Sequence, residues 1–225
     1  MLKRLRKVLQ FTYLILVLVG LYMEVRIIIP ILMITPFVMG NFFCGWICPF
    51  GTVQEYFSRI GTIFFRKKIK PPRWVQNYIQ WTKYIIFIGI LIIFGNKRFM
   101  LPFDSYKAFM GYFSGIGVQT TAFVFLILFL LIALFIERPF CNYFCVEGAR
   151  YGLSSFSRLF TITRDNKICI RCKKCDKVCP MNINISEREN IRNIQCINCF
   201  ICIDKCPIKG TLKYKFYNYF KSGKR

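Results

Sequence analysis

The 225-residue chain contains no histidine. That absence excludes a His-ligated haem, a Rieske centre, an imidazole-based catalytic triad and a His-rich zinc site. Acidic residues are scarce as well, 10 against 33 Lys plus Arg, which leaves a net charge of +23. Together with 55% apolar residues and a mean hydropathy of +0.42, this excludes an ordinary soluble domain, which has about 45 to 50% apolar residues and near-balanced charge. Twenty-five Phe and 12 Tyr exclude a disordered polycation, because so much apolar surface can be buried that folding outweighs its entropy cost. Apolar and basic residues fall in separate blocks. The pattern is that of a membrane protein with basic regions held at the lipid surface.

Four apolar runs, at 8–23, 27–43, 81–95 and 118–136, predict four transmembrane helices arranged as two repeated hairpins. Glu24 and Arg26 between the first two runs favour a tight hairpin over one long helix. Lys3, Arg4, Arg6 and Lys7 precede the first run, Arg66, Lys67, Lys68, Lys70 and Arg73 follow the second, and 18 of the 33 basic residues follow the fourth. Basic residues gather on the cytoplasmic side. The expected placement is therefore the bacterial cytoplasmic (inner) membrane, multi-pass, with the N-terminus and the cysteine-rich tail cytoplasmic and the first run kept as an uncleaved span. Between runs two and three, Val53, Tyr56, Phe57, Ile60 and Phe64 recur at helical spacing with Gln54, Glu55, Ser58 and Arg59 opposite. That predicts an amphipathic helix ended by Pro71-Pro72, either on the lipid surface or packed under the bundle. Glu24 with Arg26, and Glu137 with Arg138, read as ion pairs at the interface.

The 12 cysteines are spaced for metal rather than disulfides. Cys169-x2-Cys172-x2-Cys175-x3-Cys179-Pro180 recurs 27 residues later as Cys196-x2-Cys199-x2-Cys202-x3-Cys206-Pro207. In two-cluster ferredoxins the fourth Cys of each run ligates the other cluster. This assigns Cys169, Cys172, Cys175 and Cys206 to one [4Fe-4S] cluster, and Cys196, Cys199, Cys202 and Cys179 to the second. Four-Cys zinc knuckles fit the tandem repeat less well. The predicted domains are 1–150, a four-span region; 151–163, a linker; 164–210, a small α+β bacterial-type two-cluster ferredoxin domain; and 211–225, a basic aromatic tail. Residues 164–210 carry ten basic and five acidic residues, a surface suited to an acidic electron donor or to anionic headgroups rather than to nucleic acid.

The other four cysteines form a second repeat. Phe43-Cys44-x3-Cys48-x2-Gly51 follows run two, and Phe140-Cys141-x3-Cys145-x2-Gly148 follows run four, 97 residues later. A parallel repeat places its site at the junction of the halves. Three readings stand: buried cysteines used as small hydrophobes, a reactive dithiol or copper site, and a third Fe-S cluster on Cys44, Cys48, Cys141 and Cys145, which is preferred.

Cys-Gly-Trp-Ile-Cys-Pro-Phe-Gly at 44–51, Arg-Pro-Phe-Cys-Asn-Tyr-Phe-Cys at 138–145 and the tandem ferredoxin motifs resemble the NapH/NosR/CcoG-type polyferredoxin membrane proteins. The resemblance implies a four-span electron-transfer subunit, with the family's paired Cys-x3-Cys-Pro motifs mapping onto Cys44, Cys48 and Pro49 and onto Cys141 and Cys145. Val146 stands where the second motif usually has Pro. No flavin domain precedes the first run, so any flavin is expected on a partner. The expected function is relay of electrons between the cytoplasmic clusters and a membrane quinone or an extracytoplasmic flavin, Fe-S or haem protein, as the electron-transfer subunit of an oxidoreductase complex. The rival is an accessory factor handling copper or thiols for a respiratory metalloenzyme. A quinone site in the apolar loop 96–119, with Tyr106 or Asp104 exchanging protons, competes with interfacial anchoring of the same residues.

Overall fold

The computed structural model describes residues 2–18, 28–65, 68–94, 109, 111–112 and 120–217. Helices α1 (Leu2–Leu18), α2 (Ile28–Met39), α3 (Phe42–Trp46), α4 (Pro49–Phe65), α5 (Arg73–Phe94), α6 (Thr120–Ile132), α7 (Pro139–Tyr143) and α8 (Val146–Ser154) come first. A 3-10 turn (Ser155–Ser157), β1 (Phe160–Arg164), α9 (Lys174–Lys177), β2 (Asn190–Ile191), α10 (Ile201–Asp204) and β3 (Leu212–Phe216) complete the chain.

The expectation of four transmembrane helices in two hairpins is overturned. No helix among the described residues is long and apolar enough to cross a membrane, which takes about 20 apolar residues. The reasons are local. The 17 residues of α1 include the four cations at its start. Helix α2 has 12 residues with Pro36 inside, and the chain leaves it at Gly40 with φ 77°. Helix α5 is 22 residues long, but it begins eight residues before the apolar run and carries Gln76, Asn77, Gln80 and Lys83 along its first half. Helix α6 spans 13 residues. Glu24, Arg26, Asp104 and Tyr106, with most of the loop 96–119, lie outside the described residues.

The chain divides into two compact units. One combines Met1–Lys7, Ile28–Trp46 and Tyr151–Arg225; the other combines Val8–Ile27 and Ile47–Arg150.

In the first unit, β1 is the middle strand of a three-stranded antiparallel sheet of order β2-β1-β3. Ile162 pairs with Ile191 on one side and Tyr214 on the other. Ile162, Ile191 and Leu212 are buried with Met181, Ile183, Ile185 and Ile197, each worth about 1.5 to 3 kcal/mol relative to exposure. Strands β1 and β3 flank the cysteine-rich segment and, paired, tie its ends together, while β2 lies between its two runs. The chain before Cys44 is fixed to this body by backbone contacts: Leu159 N–H donates to the Val38 carbonyl at 3.0 Å, and the Tyr214 hydroxyl donates to the Met39 carbonyl at 2.7 Å.

The second unit is organised around an aromatic stack. Phe140 lies 5.3 Å from Phe50 and 5.2 Å from Phe129, and Phe50 lies 5.5 Å from Phe109, separations at which ring pairs add about 0.5 to 1.5 kcal/mol. Gly61 lets α4 approach the chain at Leu134, where a Cβ would stand 1.8 Å from the Leu134 carbonyl oxygen. The Tyr143 hydroxyl donates to Gln76 Oε1 at 2.6 Å and ties α7 to α5.

Helix α4 is the amphipathic helix expected from its spacing, with its polar face inward. Gln54 and Ser58 are fully buried while Ile63 and Phe64 are 78% and 76% exposed. The expected Glu137 and Arg138 pairing is replaced by two pairs between residues distant in sequence. Lys68 Nζ meets Glu137 at 2.7 Å, and Arg138 meets Glu55 at 2.8 Å.

Candidate iron-sulfur centres

The two ferredoxin-type cysteine runs are folded alike. Arg171 and Lys173 in the first run have φ of 53° and 54°; Asn198 and Phe200, 27 residues later, have 47° and 58°. Lys173 and Phe200 each open a four-residue helix, α9 and α10. Left-handed non-glycine residues cost of order 1 to 3 kcal/mol each. Four of them in two matched pairs mean that both loops are held in one strained shape. Part of the fixing is local. Asp176 accepts hydrogen bonds from the Ile185 and Ser186 N–H groups at 2.6 and 2.9 Å and from the Ser186 hydroxyl.

The fourth cysteine of each run crosses to the other run. Cys169, Cys172, Cys175 and Cys206 line a single pocket together with Pro207 and Arg164. The other four are electrostatic neighbours: Cys179 and Cys202 both feel the charges of Cys196 and Cys199. Four thiols around one pocket match the donor set of a [4Fe-4S] cluster. No three Cys, Asp or Glu side chains among the described residues draw close enough to hold one metal ion.

The thiol chemistry follows from burial. Burial and the neighbouring Cys199 push Cys179 up to about 12, and burial with the same neighbour raises Cys202 well above its ordinary value. Cys175 rises to about 11 through burial and the adjacent Asp176. On Cys169 slight burial pushes upward, but hydrogen bonds and charge from Arg164 and Arg171 bring the thiol below its ordinary value. Burial favours the protonated form of Cys175, Cys179 and Cys202, and a cationic iron core would hold them as thiolates.

The second cysteine repeat has its own shared geometry. Cys48 and Cys145 each stand immediately before a helix, α4 and α8. Each backbone carbonyl accepts the first helical bond, from Thr52 and Ala149, at 3.0 Å. Each sulfur accepts the N–H three residues on, from Gly51 at 3.4 Å and Gly148 at 3.2 Å. The cysteines thus occupy N-cap positions, with sulfur in the place of the usual capping oxygen and beside the positive end of the helix. Proline at the first helical position is optional, since its missing N–H would have no partner there. Val146 in place of proline therefore leaves the geometry intact.

Cys48 and Cys141 come from the two halves and are electrostatic neighbours. Burial first, then the charge of Cys141, pushes Cys48 up to about 12. Burial also raises Cys141 against the pull of Arg138 and Lys83. Gln54, fully buried, donates from Nε2 to Cys141 Sγ at 3.5 Å. Arg138 is fully buried with φ 51° and bonds Glu55, which also holds Arg59 at 2.6 Å. Lys83 is buried too. Burying cations is costly unless they are compensated, and an anionic thiolate-ligated centre would be compensation in addition to Glu55. Cys44 lies on α3 in the ferredoxin-bearing unit, half-buried; Cys48, Cys141 and Cys145 belong to the other unit.

Sequence reasoning did not single out Gln54, Glu55, Arg138 or Lys83 as site residues. For Gln54 and Glu55 the signal is the row of polar residues on one face of α4, which the spacing shows without saying whether that face is buried. The glycines of the repeat were seen, but not their role as N–H donors to sulfur.

Comparison with known proteins agrees with this architecture. A family model described as a 4Fe-4S binding domain matches residues 23–72 and 118–161, spanning both Cys-x3-Cys motifs, and a 4Fe-4S dicluster domain model matches 161–207. YccM of Escherichia coli is 32% identical over 76% of this chain, which spans 50% of that protein. An uncharacterised protein of Methanocaldococcus jannaschii is 28% identical over 83% of this chain and 76% of its own length. The ferredoxin-type protein NapH of Haemophilus influenzae is 27% identical over 74% of this chain and 60% of its own length. Proteins named NosR also match, over about a quarter of their length. No solved structure matches. With two kinds of 4Fe-4S domain and relatives named NapH and NosR, the chain belongs to the NapH/NosR-type polyferredoxins, a family of iron-sulfur proteins.

Proposed function

We propose that the chain is an electron-transfer relay in which two [4Fe-4S] clusters exchange electrons with a third iron-sulfur centre at the paired Cys-x3-Cys motifs, and through it with a membrane quinone or an extracytoplasmic redox protein. The proposed ligands are Cys169, Cys172, Cys175 and Cys206 for one cluster, Cys179, Cys196, Cys199 and Cys202 for the second, and Cys44, Cys48, Cys141 and Cys145 for the third. The observation that carries the reading is the crossing of Cys206 into the pocket of Cys169, Cys172 and Cys175. YccM is named for electron transport, which supports the assignment.

When bound, such clusters supply one-electron storage without ligand loss. The chain's own residues set the positions and the electrostatics. Gly51 and Gly148 hold two sulfurs by N–H bonds, Gln54 holds a third, and Arg138 and Lys83 place positive charge beside them. Such surroundings stabilise the reduced, more negative state. We propose the bacterial cytoplasmic membrane as the place of work, with the ferredoxin repeats on the cytoplasmic side. The exposed Ile63, Phe64, Trp74, Tyr78, Ile85 and Ile92, each at least 69% exposed, support seating in an apolar medium.

The test is anaerobic purification of the full chain, with iron and acid-labile sulfide counted and EPR recorded during a redox titration. About twelve iron atoms per chain, or ten for a two-iron third centre, with the excess over eight lost in Cys141→Ser, is the expected result. A count of eight unaffected by Cys141→Ser would overturn the third centre, and a protein without iron would overturn the relay.

A further inference from the structure

The two cysteine loops share one backbone shape and have opposite surroundings. In the first loop Ile170, Arg171, Cys172, Lys173 and Lys174 are exposed. At the matching positions 27 residues later, Ile197, Asn198 and Phe200 are buried and Cys199 and Ile201 half-buried. The chemistry changes with the surroundings. Arg171, Lys173, Lys174 and Lys177 in the first copy become Asn198, Phe200, Ile201 and Asp204 in the second. The cysteines follow: Cys172 is exposed, whereas Cys179, Cys196 and Cys202 are buried.

What covers the second loop is the segment bearing Cys44. A Cβ on Gly45 would stand 2.1 Å from the Ile197 carbonyl oxygen and 3.4 Å from the Cys199 nitrogen. The Trp46 indole N–H donates to the Asn198 carbonyl at 2.9 Å, and Phe200 packs 5.9 Å from Trp46 and 6.4 Å from Phe42. Residues on either side of Cys44 therefore touch the loop that carries Cys196 and Cys199, and no residue of 42–46 is in the pocket of Cys169, Cys172, Cys175 and Cys206.

We propose, resting on the relay reading, that the two ferredoxin-type clusters hold fixed and different stations. The cluster on Cys169, Cys172, Cys175 and Cys206 is the port, where an acidic one-electron carrier protein docks on the rim formed by Arg171, Lys173 and Lys174. The cluster on Cys179, Cys196, Cys199 and Cys202 is the inner station, coupled to the Cys44 helix through Gly45 and Trp46. Charge selects the occupant. The rim is cationic in the exposed copy alone, and a cationic patch around an accessible redox centre accelerates encounter with an acidic partner. In each encounter one electron crosses between carrier and port; one is oxidised and the other reduced by one unit, and no bond or proton changes place.

The test uses the full chain with its clusters loaded and the hydroquinone of an acidic flavodoxin as probe, followed by stopped-flow absorbance at several salt concentrations. The charge reversal Lys173→Glu with Lys174→Glu is expected to lower the low-salt rate about tenfold and flatten its salt dependence. The control Lys213→Glu with Lys215→Glu sits on the face of β3 opposite Leu212, which lines the port, and is expected to change the rate less than about twofold. Equal effects, or none, would overturn the port. So would rim variants that lose only binding to anionic lipid vesicles while reduction by flavodoxin is unchanged. A neutral gadolinium chelate in solution is expected to speed relaxation of the EPR signal lost in Cys172→Ser more than that of the signal lost in Cys202→Ser. Equal enhancement would overturn the order of stations while leaving the relay intact; absence of both signals from the parent protein would instead sink the relay.

Discussion

Gly45 and Ile197 meet with no room for a side chain between them, since a Cβ on Gly45 would lie 2.1 Å from the Ile197 carbonyl oxygen. Separations under 3 Å force backbone apart. Gly45→Ala should therefore displace α3 from the cysteine loop and cost about 1 to 3 kcal/mol or more. Denaturant unfolding of the loaded protein would register this as a lower midpoint, whereas Gly89→Ala, with nothing within 4 Å, should leave the midpoint unchanged or raise it.

Glu55 holds two arginines, one of them fully buried. Replacing one partner of a buried pair leaves a charge without compensation, at about 3 to 5 kcal/mol. Glu55→Gln should be that costly. Adding Arg138→Met to it should recover much of the loss, and a double-mutant cycle measured by chemical unfolding would show a coupling that additive losses would disprove.

Gln54 donates to Cys141 Sγ. Gln54→Leu keeps the volume and removes the donor, so the reduced state of a centre at these cysteines should become harder to reach. A downward shift of about 60 mV corresponds to a tenfold change for one electron. Potentiometric EPR would detect it, and the two ferredoxin-type signals should not move.

Crossed ligation makes an unequal pair of variants. Cys206→Ser should remove the cluster of the first cysteine run and spare that of the second, although Cys206 lies in the second; Cys179→Ser should do the reverse. Loss of the sequence-local cluster in each case would refute the pairing.

Acid and alkali should act on different forms of the protein. Buried thiols such as Cys48 and Cys179, pushed from 9 to about 12, are protonated in both folded and unfolded cluster-free chain below pH 9. Above that the unfolded chain ionises while the folded one holds its protons, so cluster-free stability should fall as pH rises from about 9 towards about 12. The loaded protein should instead lose clusters as pH falls, because released thiolates take up protons. Unfolding midpoints of both forms against pH, under a reductant, would check the two opposite slopes.

The ferredoxin repeats were legible because their chemistry is carried by spacing alone: Cys169 to Cys206 sit at intervals that few other structures require. The inward polar face of α4 was not. A period of 3.6 shows that a helix has two faces, but hydropathy assumes water outside, and Gln54 and Glu55 are buried because sulfur and arginine are their partners. The four apolar runs overstated the helices for a related reason. Apolarity was visible, whereas the break at Gly40 and the early start of α5 depend on packing that composition does not encode. The difference between the exposed and buried copies of the cysteine loop is written in Arg171 and Lys173 set against Asn198 and Phe200.

The N–H groups of Gly51 and Gly148 have one further consequence. A side-chain donor can be lost through many single-codon changes, but a peptide N–H disappears only when proline replaces the residue. Two of the sulfur contacts around the paired motifs are therefore almost insensitive to mutational drift. Substitution of side chains can instead change the surroundings of these cysteines at Gln54, Lys83 and Arg138, which act on Cys141 through a hydrogen bond and through charge.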